Sequence, residues 1–426
     1  MSKQIYIDVT DFIVWKGHFT GIQRVIYGVV NELILQGHSL KFIVYADGNY
    51  QQINQTIDDI ASNGIKPIPR EIVLSKEGKI RHRTTQLVKG LPGPARVVAW
   101  PLYKMGRHSA NVAIPFARTH IHKLKSRHAN INTDSTAQEF AHDERISEGD
   151  YNYGKPFYYT KGDKLLLLGC VWDDLGHLYQ AVELAESGKV SVNLLVYDLI
   201  PIYASHTFGE GLLETYTKYL FELLSVVDNV WAISKATAND IVRFMQETGI
   251  THAASLHIIR IGDVLPVTVP KEVSKQLELR YDKPFCISVG TIESRKNHIQ
   301  LYTALKLANE RNELSKLPHV YIIGRPGWLT GDVINHFNRD TDISSKVTIL
   351  HNLDDVELAW FYKNALFSVY TSQYEGWGLP IAESLAYGTP VITSNTSSMV
   401  EIAPNQAMLI SPYDSRELLK AMLAYS

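Results

Sequence analysis

The feature that most constrains this chain is the alternation of short apolar, β-branched runs with stretches of helical period. In the C-terminal half such runs lie at Phe285–Val289, His319–Ile323, Lys346–Leu350, Phe367–Tyr370 and Pro390–Thr393. Helical spacing is predicted between them at about Ile299–Asn312, Val356–Asn364 and Ile381–Tyr387. The runs are too short for helices and too continuously apolar to wet one face. They read as strands covered on both sides, the signature of a parallel sheet built from βαβ units. The N-terminal half repeats the pattern. A strand at Ile5–Val9 is followed by a loop with Gly17 and Thr20-Gly21. A helix with Ile22, Val25, Ile26, Val29, Val30, Leu33 and Ile34 on one face comes next, then a strand at Leu40–Tyr45. Further strands are expected at Lys164–Cys170, Val192–Tyr197 and Asn229–Ile233. At 426 residues, and about 150 residues per domain, two or three domains are expected. Val267-Thr268-Val269-Pro270-Lys271 reads as the linker.

Composition excludes some classes. A formal net charge of -2 argues against a polyelectrolyte binder of nucleic acid. Cys170 and Cys286 are far apart, each in or at the end of an apolar run. They read as buried free thiols in a reducing compartment. The N-terminus lacks the apolar core of a signal peptide, and no apolar run approaches the ~18 residues of a spanning helix. A cytoplasmic protein is expected. Charge is uneven, however. From Lys76 to His128 lysines and arginines face Glu77 as the lone acid, with Trp100, Tyr103 and Phe116 among them. Asp134 to Asp150 then reverses the sign. This insertion at about 76–150 suits docking on an anionic membrane or a phosphate-bearing acceptor, with internal pairing of its two halves as the alternative.

Two segments carry chemistry. Cys286-Ile287-Ser288-Val289-Gly290-Thr291-Ile292-Glu293-Ser294-Arg295-Lys296-Asn297 ends a strand and enters a helix. Gly290 permits close backbone approach at the strand's carboxyl end, where open α/β sheets bind ligands. Arg295 and Lys296 place two cations suited to a diphosphate near a helix start. Tyr374-Glu375-Gly376-Trp377-Gly378-Leu379-Pro380-Ile381-Ala382-Glu383 follows another strand and puts two glutamates near a helix N-terminus. Taken singly, each is explained as a surface Arg-Lys pair or a solvated carboxylate. Both leave carboxyl ends of one sheet, so they are expected to face one site.

Glu375-Gly376-Trp377-Gly378-Leu379-Pro380 with Glu383 resembles the E-x7-E motif of retaining glycosyltransferases of family 4, which have the GT-B fold. Gly290 with Arg295-Lys296-Asn297, Thr20-Gly21-Ile22-Gln23-Arg24, Asp198-Leu199-Ile200-Pro201, Ile233-Ser234-Lys235 and Gly388-Thr389-Pro390-Val391-Ile392 resemble further signatures of that group. The resemblance covers the C-terminal half strongly, the N-terminal half more weakly, and Lys76–Asp150 not at all. It implies an α/β protein with two Rossmann-like domains facing across a cleft: an acceptor-side domain, 1–268, and a nucleotide-sugar-binding domain, 269–426.

The resemblance also implies roles. Arg295 and Lys296 neutralise the donor diphosphate. Glu383 receives the ribose hydroxyls, and Glu375 meets the donor sugar. Gly376, Trp377, Gly378 and Leu379 present backbone N–H groups. Gly290 and Gly21 admit the diphosphate, and Asp198 orients acceptor or sugar. Transfer proceeds with retention and needs no metal or other cofactor. The implied partners are a nucleotide-sugar donor, with GDP-mannose favoured and dTDP-rhamnose and UDP-sugars open, and a glycan acceptor on a lipid carrier in bacterial O-antigen or capsule assembly at the inner membrane face. A sugar-nucleotide epimerase or phosphorylase of the same fold, and a non-catalytic glycan or lipid binding module, are the alternatives.

The chain departs from the family in three places. Tyr197 stands where the family has His, with His206 as a substitute from the next loop. Arg260-Ile261-Gly262-Asp263 replaces a Pro-x-Gly-Val-Asp turn. The chain stops soon after Leu418–Leu423, where many members continue into a helix, which implies truncation or a different edge. Asp340-Thr341-Asp342 is read as a polar helix end rather than a metal site, because no buried strand precedes it. His108, His120, His122 and His128 lie among cations that disfavour zinc. Trp360-Phe361-Tyr362 is read as core.

Overall fold

The computed structural model describes residues 3–14, 21–63, 65, 68–69, 151–209, 211–261, 267–327, 330–402 and 404–426. Gly17, Thr20, Gly262, Asp263 and the whole insertion at 76–150, with His108, His120, His122 and His128, lie outside them. The described strands are β1 (Ile5–Asp8), β2 (Leu40–Ala46), β3 (Asn49–Ile53), β4 (Ile68–Pro69), β5 (Tyr151–Asn152), β6 (Lys155–Pro156), β7 (Asp163–Leu167), β8 (Val190–Val196), β9 (Asn229–Ala232) and β10 (Ser255–Ile258). In the C-terminal half follow β11 (Phe285–Val289), β12 (His319–Ile323), β13 (Val347–Leu350), β14 (Ser368–Tyr370), β15 (Val391–Ser394) and β16 (Ala407–Ile410).

The first sheet has the order β10-β9-β8-β7-β1-β2-β3-β6, and β4 pairs with β5 alone. β1 runs parallel to both β2 and β7, as βαβ patterning requires. The antiparallel edge β3–β6 departs from the expected all-parallel sheet. Its cause is local. Asp47 and Gly48 both take positive φ, 50° and 82°, the backbone of a tight two-residue hairpin turn. The strand after that turn, Asn49–Ile53, is too polar to stand out by hydrophobicity.

The second sheet has the order β13-β12-β11-β14-β15-β16, and every pairing is parallel. Side chains alternate across it, as strand geometry dictates. Cys286, Val320 and Ile322 pack with Leu301, Leu305, Leu418, Leu419 and Met422 on one face. Phe285, Ile287, Tyr321 and Ile323 pack with Trp360, Phe361 and Tyr362 on the other. The expected core role of that aromatic triplet is correct, and the Phe285 and Trp360 rings stack at 5.7 Å. The helix Asp355–Asn364 starts where Asp354 and Glu357 form a reciprocal capping box. Cys286 is a buried free thiol as expected, whereas Cys170 is only half-buried; the strand there ends at Leu167, three residues short of the expected Cys170, and leaves the thiol in a loop.

Strand order fixes where a ligand can meet this sheet. From β11 the chain proceeds outward through β12 and β13, then returns to β14 on the other side of β11 and continues to β16. Ile287 of β11 is in register with Ser368 of β14. The loops after these two strands therefore diverge at the sheet's topological switch point, where open α/β sheets form binding crevices.

The chain divides into two compact units. One comprises Met1–Asn193, Tyr219–Asp228 and Phe244–Ala253; the other comprises Leu194–Lys218, Asn229–Arg243 and Ala254–Ser426.

Candidate functional site

The two charged loops meet in the second unit at the switch point. After β11, Gly290 has φ 137°. A side chain on neighbouring Gly324 would lie 1.9 Å from the Gly290 carbonyl oxygen, so the backbones there are in contact. A 3-10 turn, Ser294–Lys296, leads through Asn297 at φ 56° into the helix His298–Glu310. Buried Asn297 ties the two loops together. Its amide donates to the carbonyls of Thr371 (3.1 Å) and Pro412 (2.8 Å), and Thr371 Oγ1 donates back to the Lys296 and Asn297 carbonyls, each at 3.0 Å.

Glu375 is the centre of the site. It is only 7% exposed. Arg295 Nη1 lies 2.6 Å from one of its oxygens and Lys296 Nζ 2.5 Å from the other. Ser372 Oγ donates to the latter at 2.7 Å. Arg295 also pairs with Glu293 at 2.6 Å. Burial by itself opposes a charge on Glu375, yet Arg295 and Lys296 prevail and bring its pKa down to about 2. The same carboxylates outweigh the burial of Arg295 and raise its pKa further. The site is thus a fixed ionic cluster in which both cations already carry an internal counterion. His298, the first residue of the helix, is pushed down to about 4 by burial and then by Lys296, which leaves it neutral beside the cations.

The main chain around Glu375 is held by residues the sequence reading did not select. The Glu375 N–H donates to Ser397 Oγ at 3.0 Å, and Ser398 Oγ donates to the carbonyls of Glu375 (2.8 Å) and Trp377 (2.6 Å). Ser397 itself has φ 46°. A Ser-Ser pair in the turn after β15 has no motif value by itself, so sequence spacing offers no signal. Gly376 is required for a packing reason. A Cβ there would lie 2.5 Å from the Tyr197 carbonyl oxygen and 3.0 Å from Asp198 Cβ. Asp198 is therefore in this cluster. Burial raises its pKa, Arg295 opposes the rise, and Glu375 and Asp240 add to it. Tyr197, at the position where the resembled group has histidine, offers its carbonyl to Thr237 Oγ1 at 3.0 Å. His206 is exposed in a separate 3-10 turn.

Gly378, at φ 123°, is the turn into the helix Leu379–Ala386, with Pro380 in its first turn. Trp377 is buried, and its indole nitrogen has no hydrogen-bond partner among the described residues. Glu383 is 8% exposed and accepts from Tyr362 Oη at 2.7 Å. Gly21 opens the helix Gly21–Leu35 in the first unit. The structure thus brings Asp198, Gly290, Arg295, Lys296, Glu375 and Gly376 to one place. Trp377, Gly378 and Leu379 follow on the same turn, Glu383 sits one helical turn further, and Gly21 belongs to the other unit. At the rejected Asp340-Thr341-Asp342, Lys306 Nζ lies 3.1 Å from Asp340 and 2.5 Å from Asp342, a cation's place already taken by an ammonium. No group of His, Cys, Asp and Glu able to hold a metal occurs among the described residues. No described helix is long and apolar enough to cross a membrane.

Residues 270–425 match the family model described as "Glycosyl transferases group 1". Over 283 residues the chain is 23% identical to the serotype-specific mannosyltransferase WbdA of Escherichia coli, covering 64% of this chain and 34% of that protein. It is 31% identical over 130 residues to the O-antigen chain mannosyltransferase B of Escherichia coli, covering 30% of this chain and 33% of that one. The chain spans about a third of the length of these curated relatives. Among solved structures, sucrose-phosphate synthase from Thermosynechococcus elongatus aligns with a TM-score of 0.56 at 15% identity, over 99% of this chain and 91% of its own. The fold is α/β with two Rossmann-like parallel-sheet domains of the GT-B type, and the matched C-terminal segment supports a glycosyltransferase.

Proposed function

We propose that this chain transfers mannose from GDP-mannose, with retention, to a glycan acceptor on a lipid carrier during bacterial surface polysaccharide assembly. The observation that carries the reading is the Arg295–Lys296–Glu375 cluster at the switch point of the second sheet. Two adjacent cations on rigid backbone can neutralise a departing diphosphate without a metal ion. The mannosyltransferases among the relatives, one of them an O-antigen chain mannosyltransferase, support mannose and this setting.

In this reading residues 269–426 bind the donor and residues 1–268 present the acceptor, with the insertion at 76–150 against an anionic membrane on its cytoplasmic side. Arg295 and Lys296 exchange Glu375 for the diphosphate, which releases Glu375 to the sugar hydroxyls. Gly376, Trp377, Gly378 and Leu379 supply N–H groups, Gly290 and Gly21 admit the phosphates, and Glu383 takes the ribose hydroxyls. The bond between the anomeric carbon and phosphate oxygen breaks as the acceptor oxygen bonds on the same face. The acceptor proton passes to the leaving phosphate. Asp198, whose burial favours the protonated form, hydrogen-bonds the sugar or acceptor.

The test is a panel of GDP-mannose, dTDP-rhamnose and UDP-sugars, supplied with chelator and a lipid-linked acceptor. GDP-mannose is expected to raise the thermal midpoint by mass action and to yield an α-linked product by NMR. A product formed only from another donor would overturn mannose. Epimerisation without acceptor, or an inverted anomer, would overturn the reaction class.

A further inference from the structure

We infer that Asp240 is a positioning residue for the Glu375 turn and acts through the hydroxyl of Tyr374. The inference rests on the function proposed above, because it is Glu375 and Arg295 that are being positioned. Tyr374 Oη donates to Asp240 Oδ2. The carbonyl of the same tyrosine accepts from Arg295 Nη1 at 3.4 Å, and the next residue is Glu375. One residue therefore links the helix Lys235–Thr248, which carries Asp240, to both members of the ion pair. Ser397 and Ser398 secure the chain at Glu375 and beyond it; Tyr374 secures it from before.

The support is itself fixed. The Glu401 carboxylate accepts from the N–H groups of Lys235 (2.9 Å) and Ala236 (2.8 Å), capping the helix that bears Asp240. Thr237 Oγ1 donates to the Tyr197 carbonyl, beside Asp198. Asp240 thus stands on a helix tied to the segment that Gly376 touches. Functional groups gain precision when their supports are rigid elements rather than loops. Burial of Tyr374, with Asp240 beside it, raises the phenol pKa, so it remains a donor at neutral pH.

A different role for Asp240 is open to the same geometry: its charge also acts on Asp198. Asp240→Asn separates the two, because an amide oxygen still accepts from Tyr374 while the charge is gone. In the full chain, with the nucleotide sugar that supports turnover, Asp240→Ala and Tyr374→Phe are each expected to lower kcat about tenfold or more, since small misplacements of catalytic groups carry such penalties. The double variant is expected to be no worse than either single one. Asp240→Asn should recover most of the loss with an unchanged pH profile. Hydrogen exchange at residues 372–378 should accelerate in Asp240→Ala and Tyr374→Phe but not in Asp240→Asn. Unchanged turnover with unchanged exchange, multiplicative losses, or Asp240→Asn as impaired as Asp240→Ala would each overturn the inference. If the unaltered chain transferred no sugar, the proposed function would fall, and exchange at 372–378 would still decide whether Asp240 holds the turn.

Discussion

Replacing Glu375 by Gln removes the internal counterion of Arg295 and Lys296 while keeping shape and hydrogen-bonding oxygen. A carboxyl moved from its ordinary 4.5 to about 2 corresponds to about 3 kcal/mol of coupling at neutral pH, at ~1.4 kcal/mol per tenfold. That agrees with the ~3–5 kcal/mol typical when one partner of a buried pair is deleted. Glu293 still holds Arg295 at 2.6 Å, so about 3 kcal/mol is a ceiling. The folded-state pKa is depressed, so this stability is present above about pH 4.5 and is lost as pH falls toward 2. The gap between the parent and Glu375→Gln should therefore be full at pH 7 and close across that acid window. The two units need not unfold together. The assay is hydrogen exchange within the second unit from pH 7 to 3, corrected for intrinsic rates, with thermal unfolding extending the curve to pH 2. Equal stability at pH 7, or a gap that persists in acid, would refute the assignment of Glu375 as the internal counterion. Because a diphosphate must displace Glu375 from both cations, GDP should bind Glu375→Gln at least as tightly as the parent, while sugar transfer falls about 100-fold or more.

Three further outcomes follow from other contacts. Gly376→Ala would place a Cβ 2.5 Å from the Tyr197 carbonyl oxygen; a backbone atom cannot swing aside, so a loss of about 1–3 kcal/mol and of most transfer is expected, measured by thermal unfolding and turnover. Tyr362→Phe removes the 2.7 Å hydrogen bond to Glu383 and should cost about 1.5–3 kcal/mol, as for hydrogen bonds to charged groups, with weaker GDP binding by calorimetry. In the first unit, burial pushes Asp11 up to about 6, with the Cys170 N–H opposing and Asp8 reinforcing the rise. A raised carboxyl costs stability as pH climbs from about 4 through 6, so Asp11→Asn should stabilise that unit at pH 8, by up to ~3 kcal/mol, and much less at pH 4; equal midpoints at both pH values would contradict this.

Periodicity carried the fold a long way. Strands buried on both faces must be continuously apolar, and Phe285–Val289 and His319–Ile323 were legible residue for residue. The hairpin edge was not, because Asn49-Tyr50-Gln51-Gln52-Ile53 is polar and only the Asp47-Gly48 turn announced it. The site divides in the same way. Charge type and spacing identify Arg295, Lys296, Glu375 and Glu383 as unusual, since carboxylates and cations beside strand ends are poorly explained by packing. Spacing says nothing about how these groups are held. Ser372, Ser397 and Ser398 are ordinary residues until the ends of β14 and β15 lie side by side.

By itself, the sequence determined the alternating architecture, the strand-to-loop exits and the residue types available for phosphate and sugar. Tertiary structure alone decided that Glu375 closes on both cations, that Gly376 touches Tyr197 and Asp198, and that Asp240 reaches Tyr374 from 134 positions away in the chain. The physical reason is range. Hydrophobic periodicity and capping are written within a few neighbouring residues, whereas the pKa of a buried carboxylate is set by charges and dipoles within a few ångströms in space, and those come from wherever the fold brings them.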